Sequence, residues 1–156
     1  MIEYITLKNV GPAAGMHADF SHRLNLITGD NGLGKSFLLD VAWWTLTRTW
    51  AGNLALPTNG KKATIEYRIK GKKKGPLKPV LSEFRRTDAM WPVDAKRPPM
   101  PGIVVYIRID GGFSVWDPAR NYWRNDPGRP SAYHFDSKAV WEGLDIGGER
   151  PCEGLE

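Results

Sequence analysis

Gly29-Asp30-Asn31-Gly32-Leu33-Gly34-Lys35-Ser36 is the stretch on which the fold of this chain turns. Its pattern is Gly-x4-Gly-Lys-Ser. Glycines let a backbone curl tightly enough for successive N–H groups to point inward, and such a nest of amides binds phosphate oxygens. Lys35 adds a positive charge aimed at the β- and γ-phosphates of a nucleotide, and Ser36 supplies a hydroxyl of the kind that ligates Mg²⁺. A helix starting at Lys35 would turn the positive end of its dipole towards the same phosphates. The candidate nucleotide-binding set is therefore Gly29, Asp30, Asn31, Gly32, Leu33, Gly34, Lys35, Ser36 and Phe37. Lys35 is the candidate catalytic residue, Ser36 the candidate metal ligand, and ATP with Mg²⁺ the expected pair of ligands.

The flanking sequence predicts a strand before this loop and a helix after it. Leu24-Asn25-Leu26-Ile27-Thr28 reads as a strand leading into the glycines. From Lys35, residues Leu38, Leu39, Ala42, Leu46 and Trp50 recur at three- and four-residue spacing, and Gly52 with Pro57 stops the run. That predicts a buried helix of about four turns. Trp43 and Trp44 lie about 100° apart on such a helix, so both can lie partly on its buried side, and core or interface packing is expected over base stacking.

Further out, residues 2–9 alternate apolar and polar side chains as a half-buried strand does, and Gly11-Pro12-Ala13-Ala14-Gly15 reads as a loop. Residues 63–70 and 81–86 read as strands around a basic turn, and 90–101, with four prolines, as a loop. Residues 103–110 and 113–117 read as a hairpin about Gly111-Gly112, since paired glycines tolerate the positive φ of a tight turn. Residues 118–130 look irregular, 137–144 form a short helix, and the stretch from Gly147 is open coil. The expected fold is α/β, a P-loop NTPase lobe with an antiparallel β-region over residues 1–117, followed by an irregular extension over 118–156.

Composition removes several alternatives. Hydrophobic residues at 41% and charged residues at 25% are those of a globular domain. The single cysteine, Cys152, rules out an internal disulfide, and the N-terminus lacks the basic start and apolar core of a signal peptide. No apolar run approaches the roughly 18 residues that cross a bilayer. A cytoplasmic protein with no membrane role is expected. His22, His134 and Cys152 lack the spacing of metal ligands.

The net charge of +5 is local in origin. Residues 61–97 hold twelve Lys or Arg against four acids, while the rest of the chain is net acidic. Lys72, Lys73 and Lys74 in this segment are candidate contacts to nucleic-acid phosphates, against the plainer reading of a solvated hairpin tip.

Hydrolysis asks for more than a phosphate loop: an acidic metal ligand and a group that positions water. Asp110 ends an apolar run, but Arg108 interrupts that run and Gly111-Gly112 turns the chain straight back. The chain also contains no glutamine to sense the γ-phosphate. A complete hydrolytic site is not visible, and the alternative, a self-contained small P-loop NTPase or kinase, rests on Asp110.

With these residues placed, the chain resembles the head domains of SMC, RecF and OLD-type ATPases, the ABC-like branch of P-loop proteins. The resemblance is carried by Ile5-Thr6-Leu7-Lys8-Asn9-Val10, by Leu24–Thr28, and by the N-G-x-G-K-S form of Asn31–Ser36 followed by Phe37-Leu38-Leu39. Trp116-Asp117-Pro118-Ala119-Arg120-Asn121 adds a likeness to ATPase subunits of bacterial antiphage defence systems. The resemblance implies ATP and Mg²⁺ as ligands and assembly as a homo-oligomer or with a partner effector subunit. It also implies a later lobe bearing the signature motif, the second acidic motif and the switch histidine. No counterpart of these appears before Glu156, so an N-terminal portion is expected, dependent on that lobe and on dimerisation for hydrolysis.

Overall fold

Ile65, Tyr67 and Ile69 alternate with polar neighbours, and a strand that turns one face to a core buries every second side chain. In the computed structural model all three are buried. The structure describes residues 1–58, 60–70, 78–93, 102–121, 131–146 and 149–152. In chain order they form β1 (Ile2–Val10), β2 (Ala13–Asp19), α1 (Lys35–Thr47), β3 (Thr64–Ile69), β4 (Val80–Glu83), β5 (Val104–Ile107) and β6 (Phe113–Trp116). Then come α2 (Pro118–Asn121), β7 (Tyr133–Phe135), α3 (Ser137–Glu142), β8 (Leu144–Ile146) and β9 (Glu149–Cys152). The chain divides into two compact units, Met1–Pro99 and Met100–Glu156.

The first unit is an antiparallel sheet in the order β2-β1-β3-β4, with α1 contributing to the same core. The buried residues of β1 are Ile2, Ile5, Leu7 and Val10, so the expected strict alternation is broken twice. One break is a register shift between Ile2 and Tyr4; the other is Asn9, whose φ of 54° turns the strand end away from β3. Asn9 is held there by its side chain, which donates to the Lys62 carbonyl at 2.7 Å, and by its carbonyl, which accepts from Thr58 N at 2.8 Å.

Along α1, Leu38, Val41 and Trp44 step by three and are buried in that core. Spacing alone put Leu39 on this face; it is 42% exposed, and Val41 takes the place. Both adjacent tryptophans are core residues, as expected. Trp43 donates from Nε1 to Thr49 Oγ1 at 3.1 Å, and Trp44 stacks on Trp50 at 5.6 Å while meeting Tyr67 edge-on at 6.0 Å. Trp91 comes from the proline-rich loop, yet it is buried beside Trp44 and donates to the Ala55 carbonyl at 2.8 Å. Arg48 ends the helix in the left-handed region, φ 61°, with its guanidinium over the rings of Trp44 and Tyr67. Burial pushes the Tyr67 hydroxyl pKa up, and Arg48 opposes the shift.

Two further expectations fail in this unit. Leu24–Thr28 is not a strand: Leu24 and Leu26 are 82% and 86% exposed, and no strand among the described residues pairs with them. Apolar alternation cannot make a strand without an edge to bond to. Residues 13–19, partly read as a loop, instead form β2, held in register from Tyr4↔Asp19 to Val10↔Ala13.

The second unit contains an antiparallel sheet, β5-β6-β7. The expected β5–β6 hairpin is present with a wider turn than two glycines. Pairing ends at Ile107↔Phe113, and Arg108 N donates to the Gly112 carbonyl at 2.8 Å. Asp110 sits inside that turn, its Oδ1 accepting from Gly112 N at 2.9 Å. Of the stretch 118–130 that looked irregular, 122–130 lie outside the described residues, while Asp117 starts α2 by accepting from Ala119 N at 2.8 Å, and Asn121 Oδ1 accepts from Asp117 N at 2.7 Å. The predicted short helix is α3, capped by Asp136 and ending at Glu142 rather than Leu144, and Glu149–Cys152, within the expected open coil, forms β9 paired with β8. No described helix is long and apolar enough to cross a membrane.

Within this unit Arg108 Nη1 donates to Ser114 Oγ at 2.9 Å, which leaves the Ser114 hydroxyl to donate to His134 Nδ1, also at 2.9 Å. Desolvation and then the Arg108 guanidinium hold the imidazole below its ordinary value of 6.5. A depressed folded value means that stability is fully present above the unfolded pKa and is lost as pH falls through the folded one. An NMR titration of His134 should therefore show a midpoint below 6.5 that moves up in Arg108→Gln. A midpoint above the ordinary value contradicts this.

Candidate phosphate-binding site

The glycine loop is placed by the turn between β1 and β2. A Cβ built on Gly34 would stand 2.7 Å from Pro12 Cγ and 3.0 Å from Met16 Cε, and one on Gly11 would stand 2.3 Å from the Phe37 ring. The side chains of Pro12, Met16 and Phe37 thus occupy the space that a Cβ at either glycine would need. The turn is held from behind as well: Gly11 N donates to the Leu56 carbonyl at 3.3 Å, and Thr58 Oγ1 donates to the Gly11 carbonyl at 2.8 Å.

Gly32 and Gly34 both lie in the left-handed region, φ +86° and +87°, and this curls the chain into the start of α1. The helix opens with Leu38 N donating to the Gly34 carbonyl at 2.9 Å. No side chain caps this end, and its first turn holds no acidic residue. The N–H groups of Lys35, Ser36 and Phe37 precede the first intrahelical bond, and orphan donors of this kind hold an anion well.

Lys35 Nζ donates to the Gly29 carbonyl at 2.7 Å and to the Asp30 carbonyl at 2.6 Å. An ammonium has three donors, so one remains for a further acceptor above the loop. Ser36 is exposed in the first turn of the helix, and Asp30, Asn31 and Leu33 are exposed along the rim. The structure therefore brings Gly29 to Phe37 into a single curl at the head of α1.

Among the described residues no group of three or more His, Cys, Asp or Glu converges on a metal-sized space. Magnesium keeps several waters and is commonly held by one or two protein oxygens together with substrate phosphates, a donor set that the Ser36 hydroxyl fits. The carboxylate of Asp110 is engaged in its own turn and lies 3.6 Å from Arg108 Nε. Lys72, Lys73 and Lys74 lie outside the described residues. The buttress of Gly11, Pro12, Met16 and Thr58 was missed from sequence; Gly11-Pro12 signalled a turn but not what the turn would press upon.

No curated protein matches the chain. A family model described as an AAA domain matches residues 4–88, a span that runs from within β1 past the end of β4 and takes in the whole glycine loop. Because that span exceeds half of the 156 residues, the chain belongs to the AAA domain family and carries its ATPase-like nucleotide-binding module.

Proposed function

We propose that this chain is the MgATP-binding lobe of an ATPase of the SMC, RecF and OLD type, acting in DNA metabolism or antiphage defence. In this reading the backbone from Gly32 to Phe37 cradles the phosphates, Lys35 addresses the β- and γ-phosphates, and Ser36 joins the magnesium shell. The observation that carries it is the uncapped N-terminus of α1 with Lys35 Nζ held directly over the Gly29 and Asp30 carbonyls.

Hydrolysis, in the same reading, needs a complementary lobe and dimerisation. Leu24 and Leu26 support this, because they stand exposed on the segment entering the loop, and apolar surface of that kind gains roughly 25 cal/mol per Å² when a partner covers it. The assembly is a homo-oligomer or a complex with an effector subunit, in the cytoplasm.

The test is calorimetric titration of MgATP into the 156-residue chain and into Lys35→Ala. A hydrogen bond to a charged group is worth about 1.5–3 kcal/mol, so the variant should bind on the order of 10- to 100-fold more weakly. Equal affinity would overturn the role of Lys35. Turnover by the chain alone should be negligible, and robust hydrolysis would remove the need for a second lobe.

A further inference from the structure

At the end of the sheet where β3 begins and β4 finishes there is a recess of about 350 Å³ whose walls carry Lys61, Lys62, Arg85 and Arg86 against one carboxylate, Glu83. We propose that this recess is a second phosphate-binding site, distinct from the glycine loop, that takes the phosphate groups of a polyanion.

The charge balance points this way. Lys62 is spent on Glu83 at 2.8 Å and Arg85 on Asp88 at 2.9 Å. Lys61 and Arg86 have no acidic partner within 4.0 Å among the described residues. Arg86 uses one guanidinium N–H, donated from Nη2 to the Lys61 carbonyl at 3.0 Å, which brings the two residues to the same rim and leaves a fork of further donors. Arginine forks and lysine ammoniums are the side chains that bind phosphate, by bidentate geometry and by point charge respectively.

The walls are also held in place before any ligand arrives. On one side, Asn9 Nδ2 fixes the Lys62 carbonyl at 2.7 Å. On the other, Arg85 and Met90 exchange backbone hydrogen bonds of 2.9 and 3.2 Å, closing a tight turn in which Ala89 takes φ 48°. An alanine in the left-handed region is strained, and such strain persists only where the surroundings hold it. Phe84 floors the recess and packs on Trp91 at 5.1 Å. Ordering cost, which weakens binding by loose surface lysines, is thereby reduced.

The experiment measures binding of two probes, a fluorescein-labelled 12-mer oligonucleotide and inorganic tripolyphosphate, across a salt series. It compares the wild-type chain, Lys61→Gln/Arg86→Gln, and a control of equal charge loss, Lys70→Gln/Lys78→Gln, at the opposite end of the β3–β4 ladder. Both pocket residues are exposed, and thermal melting verifies that each variant folds as the wild type does. Loss of two phosphate contacts should lower affinity at least tenfold and flatten the oligonucleotide slope of log K against log salt by about 1.4 for a single strand, with the control changed less. If only oligonucleotide binding is lost, the polyanion is a nucleic-acid strand; if only tripolyphosphate binding is lost, it is a small polyphosphate. Affinity and slope unchanged for both probes, or equally changed in the control, would overturn the proposal. MgATP affinity, read on the same samples, should not move in the pocket variant, so failure here and failure of the glycine-loop reading are separable.

Discussion

Trp44→Ala should lower the unfolding free energy by about 3–5 kcal/mol, the usual cost of removing a buried large aromatic. Trp44 is 3% exposed and sits where helix and sheet meet. Its ring stacks on Trp50, meets Tyr67 and Trp91, and lies under the Arg48 guanidinium at 5.4 Å. Truncation leaves a cavity that three aromatic neighbours cannot fill and strips Arg48 of one of its two ring partners. Trp44→Phe retains much of the volume and should cost distinctly less. Denaturant unfolding checks both, and a loss below about 1 kcal/mol for the alanine variant would show that the helix is not anchored through this ring.

Gly34→Ala should damage the loop more than any other single-methyl change in it. The residue sits at φ +87°, where an L side chain costs roughly 1–2 kcal/mol, and the new Cβ would also press on Pro12 at 2.7 Å. Since 1.4 kcal/mol is tenfold in affinity, MgATP binding should weaken by an order of magnitude or more if the strain falls on the bound geometry. Pro12→Ala removes the atom that the new Cβ meets, so the double variant should recover the contact share of the loss and none of the backbone share. Unchanged affinity and unchanged stability in Gly34→Ala together would contradict the tight placement of loop against turn.

What was legible in the sequence was whatever its own side chains determine locally. The glycine spacing gave the loop and the start of α1, the period-two run of Ile65, Tyr67 and Ile69 gave β3, and the runs beside Gly111-Gly112 gave the β5–β6 hairpin. What misled were segments whose state depends on partners. Ala13–Asp19 is rich in small residues with weak strand preference, and only its ladder to β1 makes it β2. Leu24–Thr28 has strand-like residues but no edge to join among the described residues, so it forms no strand: Leu24 and Leu26 stand exposed while Ile27 packs partly buried against the core. Trp91 was hidden by surrounding prolines, which mark a loop without saying that the loop folds a side chain back into the core. In the candidate site the glycine loop and the helix after it were readable and their supports were not, because the contacts of Gly34 with Pro12 and of Gly11 with Phe37 join positions more than twenty residues apart.

The most direct test of the central claim is to follow backbone amide shifts by NMR while MgATP is added to the 156-residue chain. The largest changes should fall on Gly32, Gly34, Lys35, Ser36 and Phe37, the residues of the curl at the head of α1, and they should vanish in Lys35→Ala. Saturable shifts confined to residues elsewhere, or shifts in this loop that Lys35→Ala leaves intact, would contradict it.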